Sequence, residues 1–529
     1  MDTDTNHTCD DGGRHHGCCG CDGHGSAGPG AIARRDFLKA SGVALGALAM
    51  TGLAYEALAA ETPASQPAAA PARKPLVVKP ILSYSTPKRR PQTSWRNWGG
   101  IETQQDADGE VQRITGELKK LSAEADFPVT VLDVSAVRNT AEAAKALADA
   151  PQADAVLLYA AGGGSGVFDA AAKTGKHVIF FLRHRSGPVY LWYEIISPRY
   201  LRQHTDKLAV PGLDNSDVVV DSMEELAWRL RGLCGLKNAL GTRIVAIGGA
   251  AGWGPNGAQA PEQSKEKWKL DIRTVGYPEL KGLINSAMAD DAAVSDAKKR
   301  AAAYLDDKSV ELKTERSFVD NAFLLEGIFR QLMARAEAGA ITVNSCMGTI
   351  MPMSKTTACL VLSLLNDAGY MAFCESDFVV IPSGILLASI SGRPHFLNDP
   401  TYPHDGIITL AHCSAPRRMN GRDLEPVKLL THFESDYGVA PKVEMRKGQK
   451  VTMVIPDFAF EKWIGLGGEI VDSPFLPICR SQIDVAYKAP DAAVADAMPG
   501  FHWEMVYGEY LRETGYALRK TGIGWQVLG

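Results

Sequence analysis

Residues 153–183 read ADAVLLYAAGGGSGVFDAAAKTGKHVIFFLR: an apolar run, a glycine-rich turn, a short helical stretch and a second apolar run. Neither apolar run alternates with polar residues, so both faces of each strand need a cover, and parallel sheets in α/β proteins provide one. Working outward, LVVKPILSY (76–84) is a further buried strand. It precedes an amphipathic helix over 109–125 whose apolar positions are Val111, Ile114, Leu118 and Leu121. PVTVLDV (128–134) and TAEAAKALADA (140–150) repeat the strand–helix alternation.

The same texture restarts after PGLDNSDVVVDS (211–222). The helix MEELAWRLRGLCGLKNAL (223–240) leads to the strand TRIVAIGG (242–249), and helices are expected over 293–304 and 319–338. The strand AITVNSC (340–346), the helix TTACLVLSLLNDAG (356–369) and the strand YMAFCESDF (370–378) close this unit. Beyond 384 the runs are shorter and separated by frequent turn signals, as in a small antiparallel β domain, and a last helix is expected within MVYGEYLRETGYALRKTG (505–522). The expected fold is therefore α/β: two Rossmann-like parallel-sheet domains, 76–210 and 211–384, followed by a smaller β-rich C-terminal domain, 385–529.

With 529 residues, 45% hydrophobic and 22% charged residues and a net charge of -5, the chain has no general attraction for nucleic acid or anionic membranes. No basic tract with interleaved aromatics occurs, which excludes nucleic-acid binding as a reading. Residues 1–30 are a Cys/His/Gly-rich leader containing HTCDDGGRHHGCCGCDGHG (7–25), whose donors could hold zinc or copper but whose spacing fits no closed motif. Residues 31–60 place Arg34-Arg35 before Asp-Phe-Leu-Lys, an Ala/Gly-rich apolar run and a small-x-small ending at Ala57-Leu58-Ala59. This segment resembles a twin-arginine signal, which implies partnership with that export machinery and a periplasmic or extracytoplasmic destination; the alternative is an uncleaved membrane anchor. Residues 61–75 form a Pro/Ala linker. The six cysteines of the body (Cys234, Cys346, Cys359, Cys374, Cys413, Cys479) are widely spaced and read as small buried hydrophobes.

The densest chemical constellation is FCESDF (373–378). Alternate residues of a strand share a side, so Glu375 and Asp377 are expected to project together. Adjacent carboxylates repel unless a proton or a cation lies between them, and oxygen ligands favour magnesium or manganese. The plainer alternative leaves both in water at a strand end. His412 ends the apolar strand TLAHCS and reads first as a structural histidine, and THFESDYG (431–438), with His432, Glu434 and Asp436, reads as a solvated loop. His502 stands ahead of the expected last helix. GGGSG (162–166) and GGAAGWG (248–254) follow strands but complete no phosphate fingerprint, so they read as tight turns.

The order LLNDAGYMAFCESDF (364–378), SGRPHFLNDP (391–400), GIITLAHCSAP (406–416) and HWEMVYGEYL (502–511) resembles the L-fucose and L-arabinose isomerase superfamily. The likeness extends in layout over most of 75–529, with its motifs from about 340 onward. It implies a homo-oligomer of three-domain subunits and a divalent ion, usually manganese with magnesium or zinc as substitutes. Carried over by position, Asp377 and His502 are expected to be metal ligands. The family's further acid, about two dozen positions before that aspartate, falls in GTIMPMSKTT (348–357), where only Met353 and Lys355 stand, so Glu375 is expected to substitute as ligand and catalytic base beside Asp377. Two functions follow: aldose–ketose isomerisation of a carbohydrate through an enediol, or carbohydrate binding on the same scaffold without turnover.

Overall fold

The computed structural model describes residues 70–96, 99–190 and 196–529. The leader, the signal-like segment and all but the last residues of the linker lie outside the described residues. Among the described residues no single helix is long and apolar enough to cross a membrane.

The first sheet contains β1 (Leu76–Ser83), β2 (Val129–Val131), β3 (Ser135–Val137), β4 (Ala155–Ala160), β5 (His177–Leu182) and β6 (Val218–Val220). All its pairings are parallel, in the order β2-β1-β4-β5-β6, with β3 continuing the edge beside β1. The unbroken apolar runs are explained by two covered faces. Leu157 and Tyr159 of β4 pack with the helices Gln104–Glu124 and Met223–Ala239, while Val156 and Leu158 pack with Thr140–Ala148 and Ser165–Ala172.

The second sheet is also parallel and is formed by β7 (Arg243–Ile247), β8 (Asp271–Val275), β10 (Ala340–Val343) and β11 (Met371–Phe373), in the order β11-β10-β7-β8. β9 (Val310–Leu312) lies apart and pairs with β14 (Val427–Leu430), which in turn pairs with β15 (Ala440–Val443). Because β7 sits between β8 and β10, the crossovers diverge from it, and the carboxyl ends of β7 and β10 flank a crevice of the kind that holds ligands in such sheets.

The expected small β domain is a closed barrel. Its strands are β12 (Phe396–Pro400), β13 (Ile407–His412), β16 (Lys450–Ile455), β17 (Lys462–Asp472), β18 (Ser481–Tyr487) and β19 (Trp503–Tyr507). Antiparallel ladders run β16-β19-β12-β13-β18-β17, and β17 pairs back with β16, so this ring leaves no open edge. β20 (Gly524–Leu528) adds in parallel to β17. Period-two alternation divides the strands: Phe396, Met453, Met505 and Trp503 join the core that continues from the second sheet, whereas Leu397, Val454 and Val506 face outward onto the helix Ile381–Ser391.

Three local expectations need correction. The strand in YMAFCESDF ends at Phe373, because Glu375 and Ser376 take left-handed conformations with φ of 64° and 49° that no strand admits. The apolar segment Ile381–Ser391 is a helix that crosses the expected boundary at 384, and it is buried nearly all round, so no amphipathic period marks it. His502 precedes strand β19 instead of a helix; WEMVY is fully buried between β12 and β16, and the last helix begins only at Leu511.

Candidate metal centre

The carboxyl end of the second sheet meets one rim of the barrel, and five acidic and imidazole side chains from separate elements gather there. Glu375 and Asp377 come from the turn after β11, Asp399 from β12, His412 from the end of β13, and His502 from the residue before β19. Two consecutive left-handed non-glycine residues, Glu375 and Ser376, shape the turn. Such conformations cost of order 1–3 kcal/mol each and persist where the surroundings enforce them, often at functional sites. The glycine-rich loop after β7 provides the enforcement. Ala251 forms a parallel bridge with Asp377, and the amide of Phe378 donates to the Ala251 carbonyl at 3.0 Å. GGAAGWG is thus a structural partner of the site as well as a turn.

Sequence reasoning expected Asp377 and His502 to face a common ion. They are instead in direct contact: Asp377 Oδ2 accepts from His502 Nδ1 at 2.8 Å. Asp377 Oδ1 accepts from the amides of Trp253 and Val379, each at 3.1 Å, so both carboxylate oxygens are already engaged within the protein. Asp377 therefore orients the His502 ring and turns Nε2 toward other residues. His502 Nε2 lies 3.3 Å from Asp399 Oδ1 and 3.4 Å from Glu375 Oε2. The other Glu375 oxygen lies 3.8 Å from His412 Nε2, and His412 Nδ1 is held by Ser414 Oγ at 3.1 Å.

Asp399 and His412 are the members of this cluster that sequence reasoning missed or underrated. Asp399 stood unremarked inside SGRPHFLNDP, and His412 was read as structural. One donor atom each from Asp399, His412 and His502 lie within 4.8 Å of one another, and one each from Cys374, Glu375 and His412 do the same. Asp399 Oδ1 and His502 Nε2 are buried with no hydrogen-bond partner, although they face each other. A buried carboxylate oxygen and a buried imidazole nitrogen that are both unsatisfied and converge fit a shared cation. Two carboxylates and two imidazoles form a donor set suited to a divalent first-row ion such as manganese or zinc.

The electrostatics agree with a concentrated negative cluster. Burial raises the Glu375 carboxyl, but the nearby imidazoles of His412 and His502 outweigh it and hold the group well below the usual range. Burial pushes Asp399 up to about 7. His412 is lowered by burial yet raised more by Glu375 and Asp399, ending at about 9. His502 follows the same pattern through Asp377, Asp399 and Glu375 and stands well above its ordinary value. A second acid–imidazole pair, His395 and Glu504, with Nδ1 and Oε2 2.8 Å apart, is fully buried behind the cluster.

The mouth of the site is aromatic. Trp253 stacks on Phe501, with ring centroids 4.4 Å apart and planes within 7°, and Phe501 stands edge-on to His502 at 4.8 Å. Trp253 is 43% exposed. Of the other sequence candidates, His432 is buried instead of solvated and sits beside Cys359 and Cys413, within electrostatic reach of His412 and Glu375. No protein-family model matches the chain, and no curated protein is similar to it in sequence.

Proposed function

We propose that this protein is a metal-dependent aldose–ketose isomerase of the L-fucose/L-arabinose isomerase type, acting on a carbohydrate outside the cytoplasm. The observation that carries the reading is the convergence of Glu375, Asp399, His412 and His502, with two buried donor atoms left unsatisfied. It also repairs the resemblance. With Asp399 instead of Asp377 as the family's aspartate, Glu375 falls about two dozen positions before it, where the family places its other acid. The strand orders of the two parallel sheets support two Rossmann-like domains ahead of the barrel, with the site between the second and the third. Export by the twin-arginine route and assembly as a homo-oligomer belong to the same proposal.

Glu375, Asp399, His412 and His502 would hold a divalent ion, with manganese favoured. When bound, the ion would polarise the carbonyl of an open-chain sugar and neutralise the charge that develops on its C1 and C2 oxygens. Glu375 stays ionised and is the ligand with the most exposed side chain, at 27%, so it is the group placed to take the proton from C2 and return it to C1. The hydroxyl proton of C2 passes to the C1 oxygen, and no co-reactant is consumed. Asp377 keeps the Nδ1 proton of His502 in place, and the Trp253–Phe501 stack offers an apolar face for the sugar's C–H surface and shields the site from water.

The test is incubation of the Mn2+-loaded protein with a panel of aldopentoses and aldohexoses in D2O, reading ketose formation and any deuterium at C1 of the ketose. The expected result is ketose formation that Glu375→Gln abolishes; absence of ketose from every sugar, or equal conversion by the variant, overturns the reading. The aromatic stack favours a second reading, carbohydrate binding without turnover. It predicts thermal stabilisation by a sugar in the absence of any ketose formation.

A further inference from the structure

On the far side of the strand that carries His412, four segments bring three thiols and an imidazole together. Cys359 opens the helix Cys359–Asp367, Cys413 follows β13, His432 lies in the turn after β14, and Cys479 lies in the loop before β18. Cys359 Sγ and Cys413 Sγ are 3.2 Å apart, and one donor atom each from Cys359, Cys413 and His432 lie within 4.8 Å of one another. The side chain of Cys479 also contacts Cys413. Cys359, Cys413 and His432 are buried, and Cys479 is partly so. The scattered spacing in the chain thus conceals a spatial cluster.

Apolar packing does not account for this grouping. A buried thiol behaves as a small hydrophobe and gains nothing from a second and a third thiol with an imidazole among them. A disulfide would employ two of the four groups and leave the others without a role, and no disulfide joins Cys359, Cys413 or Cys479. Three sulfurs and one nitrogen from four separate segments form a complete donor set for tetrahedral zinc, in which sulfur ligands at about 2.3 Å from the ion stand roughly 3.7 Å apart. Successive residues of an extended segment point to opposite sides, so His412 serves the oxygen-rich centre while Cys413 serves this cluster.

We infer that Cys359, Cys413, Cys479 and His432 form a closed zinc site, separate from the oxygen-rich centre, that anchors the end of β13 and so fixes His412. Binding would release the three thiol protons to solvent and leave the centre with one net negative charge. Arg480 is the adjacent cation, tied by its Nε to the Thr431 carbonyl at 2.7 Å. Softness separates the two centres: thiolates select zinc, while carboxylate and imidazole accept manganese.

The experiment replaces zinc with Co2+ in the full chain and records the absorption spectrum, alongside metal analysis and thiol titration. Thiolate-to-cobalt charge transfer and intense tetrahedral d–d bands are expected, unchanged in Asp399→Asn and lost in Cys479→Ser. The cluster thiols should react with a thiol reagent only after zinc is extracted. A cobalt spectrum without thiolate bands overturns the proposal, as does thiol reaction without zinc release or a Cys359–Cys413 disulfide found by mass spectrometry. Should the serine variant fail to fold, the spectrum of the unsubstituted chain decides by itself. Isomerase activity plays no part in the readout, so failure here and failure of the isomerase reading are distinct.

Discussion

Replacing Asp377 by Asn preserves the shape of the side chain and changes one hydrogen-bond role. Asp377 Oδ1 receives two amides, from Trp253 and Val379, so the Asn carbonyl oxygen must stay on that side. The new NH2 then meets His502 Nδ1, where the carboxylate oxygen sat at 2.8 Å. Two donors cannot face each other, so the imidazole proton moves from Nδ1 to Nε2, the atom that faces Asp399 and Glu375. A protonated Nε2 is no ligand. Loss of such an orienting carboxylate weakens metal binding by roughly 10–100-fold, equivalent to about 1.4–2.7 kcal/mol. Competition of Mn2+ against a fluorescent chelator measures it, with the melting temperature of the metal-free protein as control. Retention of Mn2+ affinity within roughly twofold, against that 10-fold lower bound, would refute the assignment of Asp377 as the orienting residue.

Asp399→Asn should weaken Mn2+ binding at least as much and leave the aromatic mouth intact, which a thermal-shift titration with Mn2+ can establish. Glu110 is buried and bonded to Arg183 and Tyr190, and Arg183 is itself 1% exposed. Glu110→Ala leaves Arg183 with Glu117 as its one carboxylate partner and should destabilise the first sheet by about 3 kcal/mol, read by denaturant unfolding. A Cβ on Gly235 would lie 2.2 Å from Ile390 Cγ1 and 2.9 Å from its Cα, where two helices touch, so Gly235→Ala should cost about 1–3 kcal/mol; an unchanged unfolding midpoint would contradict that contact. Burial raises Asp367 to about 7, so the folded state binds this proton more tightly than the unfolded chain. That contribution is fully present below about pH 4, the ordinary carboxyl range, and is lost as pH rises toward 7. Asp367→Asn should flatten stability across that window and gain roughly 1–3 kcal/mol at pH 8, measured by unfolding at several pH values.

The parallel sheets were legible because buried strands and amphipathic helices have different periods; LVVKPILS and AVLLYA became β1 and β4 as read. Barrel closure was not legible, since the pairing of β12 with β19 and of β13 with β18 joins segments far apart in the sequence, which local pattern does not encode. At the site, Glu375 and His502 were found by their polar character beside apolar runs. RPHFLNDP read as a strand-like run and Phe396–Pro400 is a strand, yet Asp399 escaped because a single acid near a strand end carries no signal until the fold sets it opposite His502. His412 looked structural because a lone histidine at a strand end usually is. Asp377 was expected on a strand beside Glu375; it lies instead in the turn after β11, where the amides of Trp253 and Val379 and the ring of His502 take up its oxygens, and two of those partners are more than a hundred residues away.

The last helix, Leu511–Thr521, has a bearing on how the protein is made. Tyr516 enters the core of the first sheet, its hydroxyl donates to Asp217 at 2.7 Å, and Glu513 pairs with Arg231. The first sheet and its helices therefore lack part of their own interior until residues 511–521 have left the ribosome. A translation product that stops before Leu511 leaves that interior open to water, and a quality-control protease would meet it as an unfinished protein.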